Sequence, residues 1–292
     1  MKTPKIVSEI GCNHKGSLEI AKEMVKVTAE FVGADYVKFQ KRTNKELLSD
    51  KEYSAPHPNP QNSYGATYGE HREFLEFSLE QHQDLKSFCE KISIGYATSV
   101  WDYTSAKEIA SLEPDFIKVP SACNLNFALI DYLISDYSGD IHISLGMTSR
   151  AEEKRILDRF HGSGSLDRLV LYACTSGYPV PHQDVCLLEI KRLNENYKDR
   201  VKAIGFSGHH LGIAVDVAAQ TLGAEWIERH FTLDRTWKGT DHAASLEPDG
   251  FRRLVRDSKA VAESLEEKAQ EILEIEKPQR TKLKRFTEIL SD

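Results

Sequence analysis

The sequence predicts an α/β protein built as a (β/α)8 (TIM) barrel. Eight short runs rich in β-branched and aromatic residues alternate with amphipathic stretches of helical period, which is the pattern of βα units with a parallel sheet. No GxGxxG turn follows the first run, which disfavours an open dinucleotide-binding sheet. The length of 292 residues suits one large domain or two small ones, and the hydrophobic content of 40% is sufficient for a sizeable core.

The predicted strands have apolar interiors and are separated by helical stretches. In chain order they are KIVSEIG, ADYVKFQ, IGYATSV, DFIKVPS, DIHISLGM, RLVLYACTS, VKAIGFSGH and AEWIERHFT. The first helical stretch has clear boundaries, because Ser17 precedes LEIAKEMVKVTAEF and Gly33 follows it. A later stretch, DVCLLEIKRLNENY, keeps its leucines and isoleucine on one face. Such stretches are predicted to pack around the barrel.

The connection after the second strand is much longer than the others. Residues 41–71, before a helix predicted over residues 73–92, are rich in Pro, Asn, Tyr and Gly. A connection of this length is unusual unless it is functional or disordered. Its aromatic residues favour an ordered segment that covers an active site as a lid, rather than a disordered insertion.

Composition narrows the class of protein. The net charge is −7 with acidic and basic residues interspersed, so a nucleic-acid partner is not expected. No run approaches the length of a membrane span and the N-terminus lacks a signal-peptide core, so we expect a cytoplasmic protein without a membrane partner. Five cysteines without CxxC spacing are expected to be reduced: Cys12, Cys89, Cys123, Cys174 and Cys186.

Polar residues follow the predicted strands at the end where barrels carry their active sites. The candidates are Glu9, Lys38, Gln40, Thr98, Ser99, Lys118, Ser121, Ser176, Tyr178, Ser207, His209, Glu228 and His230, with Asp241 in the last loop. His209 and His230 end neighbouring strands, where two imidazoles could hold a divalent metal. Lys38 and Lys118 lie in apolar runs and need an anion, either a bound phosphate or carboxylate or a neighbouring side chain such as Glu9.

Four further residues have two interpretations each. His14 could orient Glu9 or a phosphate, or it could be structural. His210 and His242 adjoin site candidates, although neighbours on a strand end usually point away. Cys12 could bind a metal or could pack.

Six motifs, in order, resemble the N-acetylneuraminate (sialic acid) synthase family from about Glu9 to Asp241. They are SEIGCNHKGSLEIAKEMV, ADYVKFQ, IKVPSACN, SGYPVP, IGFSGHH and IERHFT. The resemblance implies condensation of phosphoenolpyruvate with an open-chain sugar aldehyde, N-acetylmannosamine or a related hexose. The products would be a 3-deoxy-2-keto sugar acid of the nonulosonate type and phosphate. It also implies a Mn²⁺ or Mg²⁺ cofactor and a homodimer.

The resemblance assigns roles by position. The implied metal ligands are His209 and His230, and the implied phosphoenolpyruvate contacts are Lys38, Lys118, Ser121, Ser176 and Ser207. Glu9, Lys118 and Asp241 would be catalytic, with either carboxylate handling the water, while Gln40, Tyr178 and Asp241 would contact the sugar. Two departures make the sugar uncertain, since Cys123 stands where the family commonly has an acidic residue and Ser176 where it has asparagine.

The end of the chain departs from the family pattern. The barrel is expected over residues 1–275 and a short basic tail, a remnant of a linker, over residues 276–292. Family members continue into an antifreeze-like domain, which is not expected here. The stretch SLEEKAQEILEIE before the tail is predicted to be helical.

Two other functions fit parts of the pattern. Lys118 or Lys38 could form a Schiff base in an aldolase or lyase acting on a 2-keto sugar acid, although that leaves the histidine pair unexplained. A non-catalytic sugar-binding barrel is the third possibility.

Overall fold

The computed structural model describes residues 3–285 and is built around a closed barrel of eight parallel strands in chain order. The strands are β1 Lys5–Gly11, β2 Tyr36–Lys41, β3 Gly95–Val100, β4 Phe116–Val119, β5 Asp140–Ser144, β6 Leu169–Cys174, β7 Ala203–Gly208 and β8 Trp226–His230. Pairing of β8 with β1 closes the barrel. Each predicted run contains one of these strands, so the predicted fold is confirmed.

The helices follow the strands as a barrel requires. They are α1 Leu18–Val27, α2 Asn44–Leu47, α3 Asp50–Ser54, α4 Tyr68–Leu75, α5 Leu79–Lys91, α6 Tyr103–Ala110, α7 Phe127–Asp136, α8 Arg150–Ser163, α9 Leu188–Tyr197, α10 Ala214–Thr221, α11 Pro248–Ser264 and α12 Glu276–Leu283. The predicted boundaries of the first helix are correct, because the Ser17 hydroxyl accepts from the Ile20 N–H and Gly33 adopts the left-handed conformation after a short π-helical turn.

The lower interior of the barrel is filled by aromatic rings. Phe116 stacks on His142 with ring centroids 3.9 Å apart, and Trp226 meets both rings edge-on. Tyr36 and Tyr172 complete this layer. Because side chains alternate along a strand, the next inward-facing layer lies directly above the rings and is the floor of any site at the mouth.

The long connection after β2 is ordered and contains α2, α3 and α4. Two helices, α4 and α5, occupy the region where one helix was predicted over residues 73–92. The break lies before α5, where the Ser78 hydroxyl caps the helix by accepting from the Gln81 N–H. The Tyr64 hydroxyl donates to the Lys238 carbonyl at 2.5 Å, which joins this connection to the loop after β8. Movement of the segment as a lid stays a prediction.

The prediction of a helix over SLEEKAQEILEIE is wrong. Helix α11 ends at Ser264, and residues 265–275 form neither helix nor strand. Ile275 is 80% exposed and none of the apolar residues of this stretch is fully buried, so little packing supports a helix here. Within the predicted tail, α12 is helical, while residues 286–292 lie outside the described residues. No helix between residues 3 and 285 is long and apolar enough to cross a bilayer.

Candidate active site

A cavity of about 640 Å³ opens at the carboxyl ends of the strands. All eleven residues that the sequence assigned to catalysis, substrate or metal line it: Glu9, Lys38, Gln40, Lys118, Ser121, Ser176, Tyr178, Ser207, His209, His230 and Asp241. The barrel therefore brings residues from six strands and the last loop to one site.

The floor of the cavity is a buried network of two lysines and two glutamates. Lys38 forms an ion pair with Glu9, and its Nζ lies 2.5 Å from the Ser99 hydroxyl. The Lys118 Nζ lies 2.6 Å from Oε1 of Glu228, whose Oε2 is 3.8 Å from the Lys38 Nζ. Carboxylates therefore satisfy both lysines, so their burial does not by itself require a bound phosphate.

Opposing effects set the protonation of this network. Burial alone would raise the pKa of Glu228, but Lys118 and Lys38 outweigh it and hold that pKa at about 2. Burial lowers the pKa of Lys118, while the carboxylate of Glu228 opposes the shift. With each lysine beside a glutamate, the floor carries almost no net charge until an anion enters.

The two predicted metal ligands lie side by side above the floor. The ring centroids of His209 and His230 are 5.6 Å apart, and the Tyr178 ring lies 4.4 Å from that of His209. The His209 Nδ1 lies 3.1 Å from the Thr175 carbonyl, so it carries the proton and leaves the Nε2 lone pair free. Burial, followed by the neighbouring His230, lowers the pKa of His209 to about 3, so the ring is neutral.

These two histidines fit a divalent metal. A histidine ligand usually donates its second ring N–H to a carbonyl or carboxylate, as His209 does. The Nδ1 of His230 is buried and has no hydrogen-bond partner among residues 3–285. No cluster of three His, Cys, Asp or Glu side chains suited to a metal occurs in residues 3–285. His210 and His242 are held elsewhere, by Arg229 and by Thr232, and are not third ligands.

Gly11 creates room for two site candidates, Glu9 of β1 and Gln40 of β2. The Gln40 Nε2 donates to Oε1 of Glu9 at 3.0 Å. A Cβ atom on Gly11 would lie 3.0 Å from that Nε2, 3.2 Å from the Glu9 carboxylate and 3.7 Å from the His230 ring. Gly11 also has a φ of 56°, which disfavours any side chain.

A cluster of hydroxyl groups lies where β4, β5 and β6 end. The Ser121 hydroxyl accepts from the Gly146 N–H at 3.0 Å, and a Cβ on Gly146 would collide with Ser121 and Ser176. The Ser144 hydroxyl is buried and has no partner among the described residues. Sequence reasoning missed Ser144 and Gly146, although SLG directly after the predicted strand was the available signal.

Other cavity residues were also missed. Arg42 and Trp101 follow β2 and β3, and the long connection contributes His57, His71 and Arg72. Their sequence context gave no indication that they converge.

Thr98, His14 and Cys12 were considered from the sequence, and each makes contacts within the protein. The Thr98 hydroxyl donates to the Tyr96 hydroxyl, so its inclusion among the site candidates was wrong. His14 stacks on Phe77 at 4.0 Å and accepts the Gly16 N–H, which supports the structural interpretation. Cys12 does line the cavity, where it accepts a hydrogen bond from Arg42.

The sequence and the fold of the chain match those of known proteins. The NeuB family model matches residues 24–270. Human N-acetylneuraminate-9-phosphate synthase is 36% identical over 271 residues, which are 93% of this chain and 74% of that protein. N,N'-diacetyllegionaminic acid synthase of Campylobacter jejuni is 31% identical, over 91% of this chain and 78% of its own.

A solved structure agrees with these relatives. The crystal structure of the N-acetylneuraminic acid synthetase of Leptospira borgpetersenii, in complex with citrate, superimposes with a TM-score of 0.82 at 25% identity. The match covers 98% of this chain and 94% of that one. The order of motifs, the fold and the family match lead to one conclusion. The chain belongs to the NeuB family.

Proposed function

We propose that the protein condenses phosphoenolpyruvate with the open-chain aldehyde of a hexose, N-acetylmannosamine or a relative. The products are a 3-deoxy-2-keto sugar acid of the nonulosonate type and inorganic phosphate. The observation that carries the proposal is the layered cavity, in which paired lysines and glutamates form the floor beneath two adjacent histidines. The names of the relatives, synthases of N-acetylneuraminate 9-phosphate and of diacetyllegionaminate, support it.

The floor can bind phosphoenolpyruvate by exchanging partners. Lys118 and Lys38 have carboxylates as partners, and an entering phosphate, with up to two negative charges, offers them a stronger negative charge. The Ser207 hydroxyl, 3.4 Å from the Lys118 Nζ, is placed to donate to the same anion. Ser121 and Ser176, with the Gly146 N–H beside them, extend this set of donors around a phosphate.

The reaction joins C3 of the enol to the aldehyde carbon and leaves positive charge at C2. Water then adds to C2, and phosphate departs with cleavage of its C–O bond, so that phosphoenolpyruvate, aldehyde and water give acid and phosphate. Glu9, buried and oriented by Gln40, is placed to stabilise charge at C2 or accept the proton of the water. Asp241, at the mouth, is placed to accept from hydroxyl groups of the sugar.

His209 and His230 would hold the proposed Mn²⁺ or Mg²⁺. When bound, such an ion polarises the carbonyl of an aldehyde as a Lewis acid. Tyr178, whose ring lies against that of His209 at a tilt of 41°, covers the histidine pair and offers a hydroxyl group to the sugar.

The proposal extends to the assembly and location of the protein. The family resemblance supports a homodimer, which light scattering of the purified protein would test. A cytoplasmic location is also part of the proposal, and fractionation of the source cells would test it.

A coupled assay tests the function directly. Purified protein with phosphoenolpyruvate, Mn²⁺ and a panel of aldoses is expected to release phosphate only with an accepted sugar, and mass spectrometry is expected to find the sugar acid. A covalent lysine adduct after borohydride treatment with pyruvate would instead favour the Schiff-base lyase. Folded protein that binds sugars but releases no phosphate with any aldose would favour the non-catalytic barrel.

A further inference from the structure

The outer half of the cavity contains N–H groups that have no acceptor. Nη1 of Arg72 and Nε1 of Trp101 are both buried, and neither has a hydrogen-bond partner within residues 3–285. Both side chains line the cavity. Burying an unpaired donor costs free energy that an entering acceptor would restore, and a small side-chain rotation would present either group to the cavity.

Arg72 differs from the other cations of the cavity. Lys38, Lys118 and Arg42 each form an ion pair, the last with Glu76. Among the described residues Arg72 has no carboxylate within ion-pair distance; its Nε and Nη2 donate only to the Tyr68 hydroxyl, at 3.1 and 3.0 Å. The outer half of the cavity therefore contains an uncompensated positive charge.

The uncompensated charge lies next to a second arginine. The guanidinium carbons of Arg72 and Arg42 are each 5.6 Å from the centre of a Trp101 ring. Asp241 also lines the cavity, but it forms no ion pair with Arg72. Its charge acts on Arg42 instead: burial lowers the pKa of that guanidinium group, whereas Cys12, Glu76 and, more weakly, Asp241 raise it. An anionic group would bring the acceptors that both guanidinium groups can use.

Two histidines of the long connection add further donors. Nδ1 of His57 accepts the Asn59 N–H at 2.9 Å, and Nδ1 of His71 accepts the Tyr64 N–H at 3.1 Å. In a neutral ring the proton must then lie on Nε2, which makes both side chains donors toward a ligand. Their ring centroids are 4.4 Å apart, and both line the cavity.

This group of donors lies at a defined height above the floor. Lys38, Gln40 and Arg42 alternate along β2 and the residue after it, and all three line the cavity. At about 3.3 Å per residue, the Cα atoms of Lys38 and Arg42 are about 13 Å apart. A sugar whose aldehyde lies near the histidine pair would direct its remote end toward Arg42 and Arg72.

The donors select one kind of chemical group. A hydroxyl or amide group can accept a hydrogen bond, but it also has a hydrogen that needs an acceptor of its own. The oxygens of a phosphate monoester dianion only accept, and they carry two negative charges. We propose that Arg72, Trp101, His57 and His71 bind a phosphate monoester at the end of the acceptor sugar remote from the aldehyde. This inference rests on the proposed condensation and specifies its substrate class as a sugar phosphate.

The test compares a sugar with its phosphate. Initial rates are measured with N-acetylmannosamine and with its 6-phosphate, under saturating phosphoenolpyruvate and Mn²⁺, for the wild type, Arg72→Gln and Trp101→Phe. Arg253→Gln, on the exposed face of α11, is the matched control. The wild type is expected to prefer the phosphate, and Arg72→Gln to lose about 10- to 100-fold in kcat/KM for the phosphate alone. Trp101→Phe, which keeps an aromatic ring but lacks the N–H, is expected to show a smaller loss of kcat/KM for the phosphate.

Calorimetric binding of the sugar phosphate without phosphoenolpyruvate separates this inference from the proposed condensation. Tight binding that Arg72→Gln weakens, without turnover of either sugar, would support the phosphate site and overturn the condensation. Normal turnover with equal kcat/KM for the two sugars would leave the condensation standing and overturn the phosphate site. The phosphate site would also be overturned if Arg72→Gln, folded as judged by its circular dichroism, kept the wild-type preference.

Discussion

Lys118 and Glu228 face each other across the barrel, with Nζ and Oε1 2.6 Å apart and both side chains at least 94% buried. Removing the charge of one partner in such a pair leaves the other buried without compensation. Glu228→Gln is therefore expected to lower the free energy of unfolding at pH 7 by about 3 kcal/mol. Urea denaturation would measure the loss, with Asp249→Asn, in an exposed pair, expected to change it by less than about 1 kcal/mol.

The pH dependence of that loss follows from the pKa of Glu228. The folded value, about 2, is below the usual 4.5, so the carboxylate adds stability above pH 4.5 and loses it as the pH falls toward 2. The difference between wild type and Glu228→Gln should therefore be greatest at pH 6 to 7 and shrink by more than half at pH 3. A difference that stays constant between pH 7 and pH 3 would contradict this account.

Gly11→Ala is expected to impair catalysis because its Cβ would press on Gln40 and Glu9. Gly33→Ala is the matched control, since Gly33 also has a positive φ, of 76°, but has open space around it. Both changes are expected to cost about 1 to 2 kcal/mol of stability through backbone strain. Only Gly11→Ala should reduce kcat, by at least about tenfold. Equal kcat values for the two variants would show that the Gly11 position does not matter for the reaction.

Gly146→Ala is expected to raise the KM for phosphoenolpyruvate. The added Cβ would lie 2.7 Å from the Ser121 hydroxyl and closer still to that of Ser176, which displaces both donors from the proposed phosphate position. Gly162→Ala, in α8 with open space around it, is the control and should leave the KM unchanged. We expect an increase of about tenfold, since each hydrogen bond to a charged group contributes about 1.5 to 3 kcal/mol. An unchanged KM would show that the hydroxyl cluster does not bind the phosphate.

His209→Ala is expected to abolish phosphate release with little change in the melting temperature, because the histidine pair lies at the mouth of the barrel and not in its core. Dialysis against a chelator should have the same effect on the wild type, and added Mn²⁺ should reverse it. His161→Ala, on the exposed side of α8, is the control. Full activity of chelated, metal-free protein would contradict the metal assignment.

The fold could be predicted because each strand is a short apolar run between helical stretches with a clear period. The predicted runs end within a few residues of the observed strands. The rule that barrel sites lie at the C-terminal ends of strands predicted Lys38, Gln40 and His230 as site residues, and all three line the cavity. Thr98 was misplaced because sequence alone does not say which of two adjacent polar residues faces inward. Ser99 faces Lys38, so Thr98 must face outward.

The outer part of the cavity could not be predicted, for a different reason. Arg72 and His57 reach the cavity through the path of the long connection, which no local period encodes. The pairing of Lys118 with Glu228 joins residues 110 positions apart, and only closure of the barrel reveals it. The helix expected after Ser264 failed because a helical pattern without a packing surface does not determine structure.

The alternation of side chains along β2 also constrains how the gene can change. Lys38 and Gln40 face the cavity while Phe39 is in the core around the barrel, and Lys41 pairs with Glu108. Substitutions at one inward position can alter one level of the cavity without disturbing the next. A single-codon insertion or deletion within the strand would instead reverse every side chain at once, removing the floor, the middle and the rim together. Variation in acceptor choice should therefore arise in this strand by replacement and never by change of length.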